Sequence, residues 1–297
     1  MAYNHDERLP DRLLISIVLL CVLSLFVIEV MAAPNPIATE QLRLVTAGSS
    51  IAETVVALGA ESTLVGVDTT STFPQQLRDK PQVGYHRALS AEGVLSLSPT
   101  HLVVTDSAGP PAVLDKLRAL GVNVVVLSSE PSLDRVKQNT LTLGQLLHKE
   151  EQAHALWQSI QQKFAAFNTG AEHKPRAIFL LAHAGRSPAV AGLKTTADTV
   201  MKLANIDNIA QSIEGYQSLG AESLATLNPD VIIITSEGLA ALGGMEGLLK
   251  QPGIITTQAG KNRRIVALDS DYLLGFGPRI GQAIQDLHHK TYAVLNR

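Results

Sequence analysis

Cysteine is almost absent from this sequence. Its one thiol, Cys21, lies in an N-terminal apolar run, so the remainder of the chain carries no disulfide and no thiolate metal site. Aromatic residues make up only 4 % of the chain, and each tyrosine in a loop therefore carries more weight than usual. Charged residues reach 17 %, with a formal net charge of −3, a balance that argues against a nucleic-acid partner. The motifs of nucleophilic and phosphate chemistry are missing too. There is no Gly-x-Ser-x-Gly elbow, no phosphate loop ending in Gly-Lys-Ser/Thr, and no Gly-x-Gly-x-x-Gly after the first predicted strand. Histidines do not fill the gap. His148 and His154 fall on a polar helical stretch, His173 in a linker, and His288 with His289 in the last predicted helix, none at the spacing of a zinc site.

What is present is a globular composition, 45 % hydrophobic, in a 297-residue chain long enough for two lobes. Leu13 to Ile28 is apolar apart from Ser16, Cys21 and Ser24. Arg8 and Arg12 precede it, and Val30-Met31-Ala32-Ala33 and Pro34 follow. This pattern predicts a secretory signal peptide over residues 1–33 and hence export. An uncleaved anchor is the rival reading, although the run is slightly short of the roughly 20 residues that span a bilayer. Leu20 before Cys21 is too large for lipoprotein cleavage. Removing residues 1–33 takes away two arginines and four acids and leaves a net charge of −1.

From Leu42 onwards, short β-branched runs alternate with helical spacing and Gly/Pro turns, which predicts an α/β fold with parallel sheets covered on both faces. Strands are expected at 42–46, 63–67, 101–105 and, as a buried strand, 122–127. Ser132 to Phe167 then holds no proline and one glycine, Gly144, and reads as one long helix or as two with a break near 147–150. The strand–helix pattern restarts after Gly170, with loops at 183–192 and 238–244. The expected organisation is an N-terminal lobe at 40–131, a bridging helical segment at 132–170 and a C-terminal lobe at 171–297.

An internal echo supports two equivalent lobes. Ser90-Ala91-Glu92-Gly93-Val94-Leu95-Ser96-Leu97-Ser98-Pro99 runs parallel to Gly220-Ala221-Glu222-Ser223-Leu224-Ala225-Thr226-Leu227-Asn228-Pro229, and an apolar strand follows each. Loops before the two helices present Tyr85 and Tyr216. Glu92 and Glu222 read either as acids complementing a helix dipole or as a matched pair that docks on a two-fold partner; the echo favours the second.

A secreted two-lobed protein without catalytic motifs reads as a binder with its ligand between the lobes. Tyr85 and His183 each follow strand or turn signals, one per lobe, and phenolate and imidazole suit ferric and haem iron. The competing reading is a surface tyrosine and a histidine at a strand end. His86 is read as a neighbour of the ligand, since adjacent residues point apart. Arg87 and Arg186 are either partners for ligand carboxylates or solvated arginines. A metal-dependent enzyme with its active site in the cleft is the alternative from another class, and a membrane-anchored interaction protein a third.

Val83-Gly84-Tyr85-His86-Arg87-Ala88-Leu89-Ser90-Ala91-Glu92-Gly93, with Leu181-Ala182-His183-Ala184-Gly185 and Leu274-Gly275-Phe276-Gly277-Pro278-Arg279, resembles the periplasmic haem-binding proteins of bacterial haem ABC importers. The resemblance implies the class III periplasmic binding protein fold: two Rossmann-like lobes joined by a long bridging α-helix, as in vitamin B12 and siderophore binders. It implies a monomer that performs no chemistry and carries haem b, received from an outer-membrane receptor, to an ABC permease dimer with its ATPase. It further implies that Tyr85 is the axial iron ligand, with a histidine added from the second lobe in some members, where His183 falls. Arg87 matches an arginine near the haem, and Glu92 and Glu222 would meet permease arginines. His86 departs from the apolar residue expected after the tyrosine, which leaves open a second imidazole near the iron or two stacked haems. A corrinoid or ferric-siderophore binder is the runner-up.

Overall fold

A computed structural model describes residues 41–165 and 173–296. The segment at 1–33, Cys21 and the turn at 168–170 lie outside the described residues. Among the described residues no helix is long and apolar enough to cross a membrane.

The first half alternates β1 (Leu44–Ala47), α1 (Ser49–Ala57), β2 (Leu64–Val67), α2 (Ala91–Leu95), β3 (His101–Thr105), α3 (Pro111–Ala119) and β4 (Asn123–Leu127). The four strands form one parallel sheet in the order β2-β1-β3-β4. Side chains alternate between faces along each strand. Leu44 and Val103 enter one apolar cluster; Val45, Ala47, Leu102 and Val104 enter the other. Both faces are therefore covered, as a parallel sheet requires. The expectation of a buried strand at 122–127 is corrected: β4 is the sheet edge, and Val126 is 44 % exposed.

The long helical stretch is two helices, α4 (Leu133–Leu146) and α5 (Glu150–Ala165), not one. His148 takes a left-handed conformation between them, with φ at 53°. Gly144 lets α5 fold back closely, because a Cβ there would lie 2.5 Å from that of Ala153. The turn of this hairpin, Leu143, Leu147 and Ala153, packs into a cluster of the first half. Its open ends, Val136, Trp157 and Ile160, pack into a cluster of the second.

The second half contains β5 (Arg176–Leu181), β6 (Ala189–Ala191), α6 (Thr196–Leu203), β7 (Asp207–Asn208), β8 (Tyr216–Gln217), α7 (Ala221–Leu227) and β9 (Val231–Thr235). It continues with α8 (Ser236–Ala241), α9 (Gly244–Leu249), α10 (Gln258–Lys261), β10 (Ile265–Leu268), α11 (Ser270–Leu274) and α12 (Ile280–Leu295). The stretch at 238–244, expected as loop, mostly belongs to α8. The sheet runs β10-β9-β5-β6-β8, with β7 also on β5. Its β10, β9, β5 and β7 pairings are parallel, but β6 and β8 add antiparallel pairs, so this sheet is mixed. The α/β class with two sheets holds. Phe179, Val231 and Ile233 face one cluster; Ile178, Leu180, Ile232 and Ile234 face the other.

The echoed helices are built alike. Arg43, just before β1, donates to the carbonyls of Leu97 (2.6 Å) and Ser98 (2.8 Å) beyond α2. Arg176, opening β5, donates to the carbonyls of Leu227 (3.0 Å) and Asn228 (3.5 Å) at the end of α7. Ser98 and Asn228 both take positive φ, 46° and 43°, as residues closing a helix do.

Candidate functional site

In a parallel sheet the loops after the strands gather at one edge, where helix N-termini also point, and ligands bind in that crevice. A cavity at these strand ends follows this rule. It has a volume of about 390 Å³, within the range of small-molecule sites. Gly48–Ile51 after β1, Thr70 after β2, Thr105 and Ser107 at the end of β3, and 127–130 at the end of β4 form its first-half wall. Arg135, Val136 and Asn139 of α4 close one side; Thr196, Ser270–Asp271 and 274–276 close it from the second half.

One buried carboxylate organises the first-half wall. Asp68, wholly buried at the end of β2, accepts at Oδ1 from the Gly48 amide (3.1 Å) and Ser71 Oγ (2.8 Å). At Oδ2 it accepts from Thr70 Oγ1 (2.7 Å) and meets His86 Nδ1 at 3.2 Å. Gly48 has φ 140°, and a Cβ on it would stand 2.9 Å from Thr105 Cγ2, so the β1–α1 turn can approach only as glycine. The Tyr85 loop is then stapled at a second point: the Gly109 amide donates to the His86 carbonyl and the Leu89 amide to the Gly109 carbonyl, each at 2.9 Å.

The cavity brings His86 and Arg87 together on one wall. Tyr85, 45 % exposed, lies beside His86 with ring centroids 4.4 Å apart and planes tilted by 58°, outside the cavity lining. His183 and Arg186 are exposed residues of the tight turn after β5, also outside the lining. Glu92 and Glu222 lie exposed in the first turns of α2 and α7. Ser90 caps α2 by accepting from the Gly93 amide.

Arg135 is a further cation on the wall. It donates to Gln138 Oε1 (2.6 Å) and Glu130 Oε2 (3.2 Å), while its enclosed Nε has no partner among the described residues. Opposite stands Asp271. Burial, with the Asp269 carboxylate beside it, pushes its carboxyl up to about 6, against the pull of the Ser49 hydroxyl. Among the described residues no group of three or more His, Cys, Asp or Glu could hold a bare metal ion.

Behind the cavity the halves are tied by an ion pair. Arg279 Nε and Nη2 donate to Glu53 Oε1 and Oε2 at 2.6 and 2.9 Å. The guanidinium lies 3.7 Å from the Phe73 ring centroid and 4.9 Å from that of Tyr272.

Residues 44–272 match the family described as periplasmic binding protein. The chain belongs to the periplasmic binding protein family. Among solved structures it is similar to the periplasmic heme-binding protein RhuT from Roseiflexus sp. RS-1 in apo form, at 36 % identity and a TM-score of 0.82. That match covers 86 % of this chain and 99 % of the other. The periplasmic heme-binding protein HutB of Vibrio cholerae is 38 % identical over 85 % of this chain and 100 % of its own, with a TM-score of 0.79. A vitamin B12-binding protein of Photorhabdus laumondii subsp. laumondii is 24 % identical over 92 % of this chain and 94 % of its own.

Two features of this periplasmic binding protein escape the sequence. Asp68 sits in Asp68-Thr69-Thr70-Ser71, which reads as a polar surface turn; a strand-end acid followed by hydroxyl residues was the available signal. Arg135 reads as an ordinary charge in the first turn of a helix, and only the folding of α4 along the cavity brings it to the site.

Proposed function

We propose that this protein captures haem between its two halves in the periplasm and hands it to an inner-membrane ABC permease. The observation that carries this reading is the likeness to RhuT and HutB, which spans nearly the whole of both. The inter-half cavity at the strand ends, with His86 and Arg87 on its wall, fits it.

In this reading Tyr85 is the axial iron ligand and His183 approaches from the second half. Arg87 and Arg186 pair with propionates, for which guanidinium forks are suited. Glu92 and Glu222, on helices clamped alike by Arg43 and Arg176, dock on arginines of the permease dimer served by its ATPase. Residues 1–33 direct export, 40–131 and 171–297 are the lobes, and 132–170 bridges them. The protein acts as a monomer, receives haem from an outer-membrane receptor and carries out no reaction. Corrinoid is the second reading, favoured by the vitamin B12-binding relative.

Titration of the mature protein with hemin, and separately with cyanocobalamin, tests this. A Soret band that saturates, and that weakens or shifts in Tyr85→Ala, is expected. Saturable cyanocobalamin binding without hemin binding would overturn the reading. An unchanged hemin spectrum in Tyr85→Ala, or in His183→Ala, removes that residue from the iron.

A further inference from the structure

A second cavity opens where the Glu53–Arg279 pair ties the halves. Its volume is about 300 Å³, the lower end of the range for small-molecule sites. Val56 and Ala57 of α1, Leu156 and Ile160 of α5, and Phe73 with Pro74 give it apolar walls. None of these residues lines the crevice at the strand ends. Phe73, 47 % exposed, is the one phenylalanine left exposed among the described residues, and the Arg279 guanidinium lies over its ring. The polar side chains in the lining are Glu53, Ser159, Lys163 and Arg279. Glu53 is already answered by Nε and Nη2 of Arg279. Nη1 of Arg279 and the Lys163 ammonium have no partner among the described residues. Two cations against one carboxylate leave the cavity positive. Unanswered donors of this kind are met best by an anionic acceptor. Apolar walls select among anions: a doubly charged phosphate loses more hydration on entering than a carboxylate does.

We propose that this cavity is a second ligand site, separate from the crevice, for an aliphatic monocarboxylate of medium chain length. Its tail lies against Phe73, Leu156 and Ile160, and its carboxylate meets Lys163 and Nη1 of Arg279. The site stands whether or not haem is the cargo. Its occupant touches α1, α5 and residues 278–279 together. Two of these segments also frame the crevice. α1 begins in the crevice wall at Ser49–Ile51 and ends in this cavity at Val56 and Ala57. Residues 274–276 wall the crevice, and 278–279 wall this cavity. A ligand here therefore fastens the joint on which the crevice depends.

The probe is sodium octanoate, titrated below its micelle concentration into the full mature protein free of haem. Amide NMR shifts are expected to saturate and to concentrate at 53–57, 73, 156–163 and 279. A rise in Tm should accompany them, as a ligand of the folded state produces. Shifts that do not saturate, or that concentrate at 48–51, 86–87 and 127–130 in the crevice, overturn the proposal. Octanol and octylammonium separate charge from hydrophobicity. Each lacks the anionic acceptor and is expected to bind about 10-fold more weakly than octanoate, or worse. Octanol binding as tightly as octanoate overturns the assignment of a carboxylate. Lys163→Glu reverses a charge at the cavity and Ser159→Trp fills it, both at exposed positions of α5. Each is expected to weaken octanoate by about 10-fold or more, with far-UV circular dichroism to check folding. Unchanged affinity in either variant overturns the proposal. Should a variant fail to fold, the shift map and the octanol comparison on wild type still decide. None of these outcomes bears on hemin binding, so haem carriage stands or falls on its own titration.

Discussion

The ion pair between Glu53 and Arg279 joins α1 of the first half to the start of α12 in the second, and its removal has a direction-dependent cost. The Glu53 side chain is 9 % exposed and that of Arg279 28 %. Arg279→Ala strands a buried carboxylate, a loss of about 3–5 kcal/mol. It also removes a cation held over the Phe73 and Tyr272 rings, worth about 0.5–1 kcal/mol more. Glu53→Ala leaves a guanidinium that still reaches water and both rings, and should cost about 1–3 kcal/mol. The two penalties should not add; a coupling of about 2 kcal/mol is expected for groups in such contact. The pH dependence separates the cases. Burial pushes the Glu53 carboxyl above its usual value, with Arg279 pulling it back. An acid raised in the folded state contributes stability that is lost as pH rises through the folded value. Without Arg279 that pull is gone, so the Arg279→Ala penalty should be larger at pH 8 than at pH 5, whereas the double variant should lack this slope. Urea unfolding of wild type, both singles and the double at the two pH values measures all of this. Additive penalties with parallel pH profiles would refute the claim that the pair ties the halves together.

Gly144→Ala gains about 1 kcal/mol of helix propensity, yet its Cβ would meet Ala153 at 2.5 Å, so a net destabilisation of about 1–3 kcal/mol is expected; an unchanged or raised Tm contradicts the close hairpin. Asp271, raised to about 6, likewise loses stability as pH climbs from about 4 to above 6. Asp271→Asn should therefore stabilise by about 1 kcal/mol at pH 7.5, after allowance for solvent screening, and by little at pH 4; thermal melts across that range check it. Replacing both Glu92 and Glu222 with alanine should abolish haem uptake in cells, leave hemin affinity within about twofold and shift stability by under about 1 kcal/mol. Normal uptake by that double variant removes the acids from docking.

Much of the fold was legible because β-branched runs and glycine stops are local signals. Val231–Thr235, Ala221–Leu227 and His101–Thr105 lie where periodicity puts them. Strand order is not local. The valines of β4 suit a central strand equally well, and only pairing with β3 alone makes it an edge. A break near 147–150 was one of the two readings open to the sequence; the close contact of Gly144 with Ala153 across the turn is what composition does not announce. At the site, the chemistry of Tyr85, His86 and Arg87 was readable from residue type. Which side chain lines the cavity was not, because Asp68 turns His86 inward while Tyr85 remains at the surface.

The hairpin of α4 and α5 has a further consequence. Its chain enters the core of the second half at Val136, crosses to that of the first at Leu143, Leu147 and Ala153, and returns at Trp157 and Ile160. The two halves thus share three traverses of packed backbone rather than a single flexible strap. Swinging one half open would shear apolar contacts in both cores, and the Glu53–Arg279 pair would break with them. A carrier built this way has little scope to announce its cargo by clamping shut. Loaded and empty forms should therefore differ chiefly at the mouth of the crevice, and a transporter that unloads the protein would have to supply the force that parts the halves.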